Sequence, residues 1–190
     1  IDTDGKETDP EGTIVNGGVS ETAQIPSVFL QYTHVMDGNF AVTVGADYIP
    51  MSAEFVAESK ADTDLTSIAG GTTSGTKKVN ADLKNHVTVY IQPTYLLSDV
   101  QSIYLNLGHV QADVEADARL VTSTDFVKED SMEGIQVGFG AARMLSERIY
   151  VKFDAKYTEY DEISFTTSDS TKVSAEPESF SGALSLLSLI

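Results

Sequence analysis

The chain lacks cysteine and tryptophan and contains only five prolines. Without cysteine, neither a disulfide framework nor a thiolate metal site can form. Basic residues are also scarce: 12 lysines and arginines stand against 29 aspartates and glutamates, which gives a formal charge of −17. Such a surface repels the phosphates of nucleic acids, so we expect no nucleic-acid partner.

Long apolar runs are absent as well. The sequence contains no stretch of 18 or more apolar residues, so it predicts no transmembrane helix. Hydrophobic residues nevertheless make up 41% of the 190 residues, too many for a disordered chain of this charge. We expect a single domain over residues 1–190, from which a signal peptide has been removed.

Apolar and polar residues alternate along most of the chain, and helical periodicity is nearly absent. In the segment 40–48, for example, Phe40, Val42 and Val44 share one face of an extended chain, whereas Thr43 and Gly45 lie on the other. The same alternation predicts seven strands, at about 26–35, 40–48, 79–95, 103–108, 135–142, 149–158 and 180–190. The fold class is therefore all-β.

The connections between these strands alternate in length. Short turns are predicted at about 36–39, 97–100 and 145–147, the first of them at an Asp-Gly pair. Long polar loops are predicted at about 1–24, 50–77, 117–133 and 161–171. This order is typical of an eight-stranded, up-and-down antiparallel transmembrane β-barrel. Since only seven strands are found, we expect the first strand to precede Ile1. Pro93 falls inside a strand, where we expect a bulge or an early end to pairing.

Three features indicate that the apolar face meets lipid and the polar face lies inside. The polar face is rich in small residues such as Gly138 and Gly140, which suit a narrow interior. It carries charges of both signs, to which Arg143 is added by its position, and tyrosines lie near strand ends on the apolar face. The predicted outward residues are Val42, Val44, Val87, Val89, Ile91, Leu105, Leu107, Val137, Phe139, Val151 and Phe153.

Three segments, 1–5 (IDTDG), 25–29 (IPSVF) and 45–53 (GADYIPMSA), carry a family resemblance. With them the chain resembles porin-like outer-membrane barrel proteins of the opacity-protein and OmpA-type eight-stranded superfamily, of the marine alphaproteobacterial type. The resemblance implies a bacterial outer-membrane location and a Gram-negative source. It implies a fold rather than an activity. Such barrels usually end on an aromatic residue, and this chain instead ends on Ile190.

The chain offers no convincing catalytic, cofactor-binding or metal-binding constellation, so we expect a protein that is not an enzyme and needs no cofactor. His34, His86 and His109 lie on different predicted strands without ligand spacing. No serine lies within two residues of His86 or His109 on the same face, and convergence of distant residues is left open.

Three further features can be interpreted either as structural or as functional. The row Lys152, Asp154 and Lys156 is either an ion path or, as we favour, an internal ion ladder with Asp47, Asp82 and Lys84. The acidic run Asp2, Asp4, Glu7, Asp9 and Glu11 faintly resembles a calcium loop, but a solvated acidic loop is favoured. The run 70–75 lacks the lysine of a phosphate-binding loop and is typical of a flexible loop tip.

Three functions stay open at this point. The first is a structural or surface-display protein with acidic external loops, in contact with outer-membrane lipid, with lipopolysaccharide, with divalent cations at those loops and with an extracellular partner of unknown kind. The second is a narrow porin for small solutes. The third is a soluble, self-assembling β-structural or viral module, which would have an apolar interior with Lys152 and Asp154 outside.

Overall fold

The computed structural model describes residues 2–8, 12, 14–20, 22, 24–66, 72–119, 126–166 and 172–188. Within these ranges the chain forms eleven β-strands. They are β1 (Asp2–Thr8), β2 (Ile14–Ser20), β3 (Val28–Val35), β4 (Phe40–Ile49), β5 (Ala53–Thr66), β6 (Thr72–Ser98), β7 (Gln101–Arg119), β8 (Phe126–Ser146), β9 (Ile149–Tyr160), β10 (Ile163–Thr166) and β11 (Lys172–Ser188). No helix in the described residues is long and apolar enough to cross a membrane.

All strands belong to one antiparallel sheet, in the order β2-β1-β11-β9-β8-β7-β6-β4-β3. β5 pairs with β6, and β10 pairs with β11. The seven strands expected from the sequence are thus confirmed as β3, β4, β6, β7, β8, β9 and β11. The three short turns are confirmed too, at residues 36–39, 99–100 and 147–148. We call the end of the sheet that carries them the turn end, and the opposite end the loop end.

Several of the eleven strands continue one another. β4 and β5 both lie antiparallel to β6, with Ile49 opposite His86 and Ala53 opposite Leu83. They form one path that is interrupted at residues 50–52, where Pro50 cannot donate a backbone hydrogen bond. β9 and β10 likewise share β11 as a partner. β2 runs in the direction of β3 and precedes it. The sheet therefore consists of eight antiparallel, up-and-down paths, which confirms the predicted fold class.

The two ends of the sheet differ in how far they close. At the loop end, β1 pairs with residues 172–178 of β11 and β2 lies close to β5. At the turn end, residues 179–188 of β11 pair with β9 on one side only, and β3 pairs with β4 on one side only. We call the opening between β3 and the turn-end half of β11 the seam. At the loop end, β1 therefore occupies the place of the first strand, which the sequence was expected to lack.

The long loops differ from the expectation in a similar way. The segment 1–24 contains β1 and β2, the segment 50–77 contains β5 and the start of β6, and β10 lies within 161–171. β7 and β8 also extend into the segment 117–133. The reason is that polar residues on both faces hide a strand from a test for alternation, although the backbone still pairs. The single-domain assignment of residues 1–190 stays a prediction.

One face of the sheet is exposed and apolar. Nine of the eleven predicted outward residues have large exposed fractions, for example Val89 (61%), Leu105 (58%) and Phe139 (63%). Val42 and Val151 lie on the same face but are half-buried. The opposite face is buried, and it carries Thr43, Thr88, Gln92, Asn106, Gln136, Lys152 and Asp154. The sheet thus presents its apolar side outward, the reverse of a water-soluble protein.

Alternation fails once, in the middle of β6. Leu83 is buried although the sequence placed it on the same face as Val87, which is exposed. Between them a β-bulge shifts the register, because Lys84 pairs with Asp113 but Val87 pairs with Gln111. Asn85 adopts the left-handed backbone conformation, with φ of 51°, which asparagine tolerates better than most residues. The prediction of one uninterrupted face over residues 79–95 is therefore wrong.

Pro93 does not mark a bulge, so that expectation is also wrong. It pairs with Val42 of β4 in regular register. On the β7 side, the assigned pairs run from Ile91 with Leu107 to Thr94 with Tyr104 without a register shift. Pro93 is exposed on the outward face. Its missing backbone donor leaves a local gap in the ladder while the register is kept.

Replacement of Ile91 by arginine tests the outward face, because Ile91 is exposed and pairs with Val44 in the middle of the apolar band. If this face meets hydrocarbon, Ile91→Arg lowers the free energy of unfolding in lipid by about 2–4 kcal/mol, whereas a charge at the edge of the apolar band costs about 0–1 kcal/mol. Gln111→Arg is the control, because Gln111 is exposed on the outward face of β7 where polar residues begin. Urea-dependent unfolding in lipid vesicles measures both, and equal costs for the two variants contradict the assignment.

A polar interior as the candidate functional site

The buried face holds polar side chains from four neighbouring strands, β6 to β9. β6 contributes Thr88 and Gln92, β7 contributes Asn106, β8 contributes Gln136, and β9 contributes Lys152, Asp154 and Thr158. Each alternates with an outward apolar residue, so the same period that exposes valine and leucine encloses these groups. Polar groups removed from water must find partners inside the protein, which makes their contacts informative.

Lys152 is the centre of the turn-end half of this interior. Its Nζ donates hydrogen bonds to Gln31 Oε1 at 3.1 Å and to Gln92 Oε1 at 3.3 Å. The ammonium also lies 4.7 Å from the centroid of the Tyr104 ring, a cation–π contact. Gln31 is on β3, at one end of the strand order, whereas Lys152 is on β9, five strands away in that order. The sheet is therefore curled enough for side chains of distant strands to meet.

The two neighbours of Lys152 in the row are held differently. Asp154 accepts a hydrogen bond of 2.8 Å from the Tyr104 hydroxyl. Lys156 forms an ion pair with Asp47, 3.5 Å from Nζ to Oδ2. The predicted internal ladder is confirmed for Lys156 and Asp47. It does not include Lys84 as a member of the same group, because Lys84 contacts Glu115 near the loop end.

Glycine makes room for the aromatic rings of this network. A Cβ atom at Gly140 would lie 2.5 Å from Cζ and Oη of Tyr104, and one at Gly45 would lie 2.5 Å from the same atoms of Tyr90. Each tyrosine therefore lies over a glycine on a nearby strand. The interior glycines noted in the sequence allow large rings to lie flat against the backbone in a narrow space.

The interior changes character towards the loop end. His86 Nε2 and Tyr160 Oη share a hydrogen bond of 3.0 Å, and Gln136 Nε2 donates to Thr158 Oγ1 at 3.0 Å. Next to them the buried face becomes apolar, with Leu83, Val110, Ala112, Val114, Met132 and Tyr160 in one cluster and Ile163 packed against it. We call these seven residues the plug. The exterior face becomes polar at the same level, where Gln111, Asp113 and Glu133 are exposed.

A few interior polar atoms have no hydrogen-bond partner among the described residues. Asn106 is only 1% exposed, and neither its Nδ2 nor its Oδ1 is hydrogen-bonded. Gln136 Oε1 and Asp47 Oδ1 are buried and unpartnered as well. Buried polar groups of this kind are commonly satisfied by internal water. The middle of the interior therefore has hydrogen-bonding capacity that the protein itself does not use.

The three histidines lie where the sequence placed them, and they do not converge. His86 is buried on the interior face, and His34 is exposed near the turn end. His109 is exposed, with Nε2 3.8 Å from Oε2 of Glu133. Among the described residues, no three histidine, aspartate or glutamate side chains are arranged to hold a metal ion.

Three other sequence predictions concern Arg143, the acidic run and residues 70–75. Arg143 is exposed and lies on the outward register of β8, so its assignment to the interior is wrong. Residues 2–8 of the acidic run form an extended strand between β2 and β11, whereas a calcium loop needs a tight turn around the ion. Asp9, Glu11, Gly70 and Gly71 lie outside the described residues. Thr72 to Gly75 belong to β6 rather than to a loop tip.

The plug could not be inferred from the alternation alone. It depends on the bulge at Asn85, which turns Leu83 inward, and on the level at which the outward side of β7 changes from Leu107 to Gln111. One signal was available. Val110, Ala112 and Val114 alternate with Gln111, Asp113 and Glu115, which is the pattern of a strand with an apolar inner face in water.

Comparisons with known proteins locate the chain only broadly. No family model matches the sequence. No curated protein matches it either. Among solved structures, the crystal structure of Ail, the attachment invasion locus protein of Yersinia pestis, is similar at 12% identity and a TM-score of 0.42, covering 98% of this chain and 92% of that one. A second structure of Ail, in complex with the heparin analogue sucrose octasulfate, gives a TM-score of 0.39 at the same identity and coverage.

The glycine under Tyr104 gives a test of the interior packing. In Gly140→Ala the new methyl group must displace the Tyr104 ring and weaken its hydrogen bond to Asp154, which we expect to cost about 1–3 kcal/mol. Gly182→Ala is the control, because a Cβ there meets no atom within 4 Å. Unfolding in urea measures the free energy of each variant. A Gly140→Ala protein as stable as Gly182→Ala contradicts the close packing of this ring.

Proposed function

We propose that the protein is a non-enzymatic, integral β-barrel of a bacterial outer membrane that anchors polar, acidic strands at its loop end. The observation that carries this proposal is the reversed polarity of the sheet, with Val89, Leu105 and Phe139 exposed while Lys152 and Asp154 are buried. In water this arrangement is unfavourable, because apolar side chains stay exposed to solvent and charged side chains are buried. In a bilayer it is the stable one, because hydrocarbon covers the apolar face.

The apolar band has the size of a bilayer. β4 spans ten residues from Phe40 to Ile49, within the length of 9–11 residues that a tilted strand needs to cross hydrocarbon. Phe40 and Tyr95 pack edge to face with ring centroids 5.3 Å apart near the turn end, and Tyr48 is exposed at the far end of β4. Tyrosine favours the two interfaces of a membrane, so these residues support both limits of the band.

The strands continue beyond the band at the loop end. β6 has 27 residues, β8 has 21 and β7 has 19, roughly twice the length needed to cross the membrane. On this extension the outward residues are polar, among them Gln111, Asp113 and Glu133. We propose that this part rises into water and acts as the displayed surface. Its acidic residues suit divalent cations shared with lipopolysaccharide phosphates, and the extracellular partner is left unspecified.

The soluble module is the weaker alternative, because it requires Lys152 and Asp154 outside and the valines inside, which is the reverse of their burial. The porin alternative requires an open interior. The apolar plug opposes one. Enzymatic activity lacks support because His86 is hydrogen-bonded to Tyr160, whereas His34 and His109 are exposed.

A membrane barrel must also close its seam, because free strand edges cannot lie in hydrocarbon. We propose that a segment preceding residue 1 fills it. The register of β1 predicts how: Asp2 pairs with Glu178, so the residue numbers of partners add up to 180 and the chain extended backwards runs along Ser179 to Ser188. Phe180, Leu184 and Leu186 are exposed, so the preceding residues opposite them should be apolar.

Disulfide formation tests this register, since the chain has no cysteine of its own. The sixth residue before Ile1 pairs with Ser185, because −5 and 185 add up to 180. Ser185→Cys combined with a cysteine at that position should form an intramolecular disulfide on mild oxidation, seen as a mobility shift on a non-reducing gel. A cysteine at the seventh position is the control, because its side chain points to the opposite face. Cross-linking between two molecules instead would assign the seam to a second copy.

The membrane proposal itself is tested by purification. We expect the full chain to need detergent or lipid to stay in solution, and to migrate faster on a gel when unheated than when boiled, as folded membrane barrels do. The result depends only on the exposed apolar band, which detergent or lipid must cover. A folded monomer that stays soluble without detergent contradicts the proposal.

A further inference from the structure

The interior divides into a polar part and an apolar part that follow each other along the same strands. On β7 the inward residues run Tyr104, Asn106, Gly108, then Val110, Ala112 and Val114. The change from polar to apolar falls between Asn106 and Val110. The same change occurs on β8, where Gln136 is followed towards the loop end by Gly134 and Met132. β7 and β8 therefore switch at the same level, because Val110 pairs with Gly134.

The polar part is suited to water. Asn106 has two unpartnered polar atoms, and Gln136 and Asp47 have one each. These groups come from β7, β8 and β4, so they are spread over a run of four neighbouring strands. Four buried polar atoms without protein partners are more than such an interior tolerates dry, because each carries a desolvation cost. Water bound between them satisfies that cost.

The apolar part is suited to exclude water. Val110 is fully buried, and Ala112, Met132, Val114, Tyr160 and Leu83 are each less than 9% exposed. The three residues of β7 alone cover about 13 Å along the strand, at about 3.3 Å per residue. A constriction lined by apolar side chains opposes the passage of ions because water leaves it, even where its geometric width would suffice.

We propose that the plug is the seal that keeps the hydrated polar interior from conducting ions across the membrane. This proposal rests on the proposed membrane location. The polar network alone makes a poor seal, since the hydrogen bonds of Lys152 to Gln31 and Gln92 can be exchanged for hydrogen bonds to water. The apolar side chains of the plug cannot exchange their contacts for hydrogen bonds to water. Its removal turns a closed barrel into a narrow, water-filled pore.

Single-channel recording in planar bilayers tests the seal. The wild type should show no steady conductance steps. The double variant Val110→Ser/Met132→Ser, which makes the plug polar and smaller, should show steady steps, with a mean current at least about tenfold above wild type. Met132→Leu keeps the site apolar and should stay silent. Leu105→Ala removes volume from the outward face, where Leu105 is exposed, and should also stay silent.

Heat-modifiable migration on a gel shows which variants are folded, and it separates the two proposals. If the wild type needs no detergent and does not insert, the membrane proposal fails. If it inserts and the folded serine variant is silent, the seal lies elsewhere and this inference is wrong. Should the serine variant not fold, the milder Leu83→Ala replaces it, with the same expected gain. Steady channels from the wild type, or equal currents from Met132→Leu and the serine variant, also overturn the inference.

Discussion

The proposed membrane barrel depends on one constraint: hydrocarbon offers no hydrogen-bond partner to a polypeptide backbone. Every peptide group in the apolar band must therefore pair within the sheet, and every side chain must lie on the lipid side or on the enclosed side. The alternation of the sequence meets both demands at once, because it exposes Leu105 and Leu107 and encloses Asn106 between them. The same constraint makes the seam between β3 and β11 the part of the described structure that most needs a partner.

A barrel of this kind cannot be stabilised by an apolar core at membrane level. Its interior is held by a chain of polar contacts instead, from Gln31 through Lys152 to Tyr104 and Asp154. Such networks stabilise a protein where every polar group in them is hydrogen-bonded. Asn106 is an exception here, because neither its Nδ2 nor its Oδ1 has a hydrogen-bond partner among the described residues. Hydrophobic burial in the ordinary sense returns only at the loop end, in the plug, where the outer face meets water again.

The sequence predicted the strands at membrane level and their two faces because one physical rule, period two, acts on every residue there. Small residues such as Gly138 and Gly140, charges of both signs on the same face and tyrosines near strand ends together indicated which face lies inside. It could not predict β1, β2 and β5, since strands in water at the loop end are under no pressure to alternate strictly. It also missed the bulge at Asn85, because Leu83, Asn85 and Val87 fit an unbroken alternation until the register with β7 is known.

The candidate site was harder to predict than the fold, since it depends on which distant strands meet. The ion pair between Lys156 and Asp47 was among the expected partners, but the bonds of Lys152 to two glutamines were not. The sequence does not show which uncharged polar side chains, such as those of Gln31 and Gln92, will contact a buried charge. Their role as partners of a buried ammonium appears only when β3 and β9 curl towards each other across the interior.

The most direct test of the central claim uses the absence of tryptophan from the chain. Single tryptophans introduced in turn at Leu105, Asn106, Leu107 and Gln111 can be measured in vesicles that contain brominated lipid, which quenches fluorescence on contact. We expect strong quenching at Leu105 and Leu107 and little at Asn106 and Gln111, because only the first two lie on the outward face within the apolar band. Quenching at Asn106 with none at Leu105 would contradict the account.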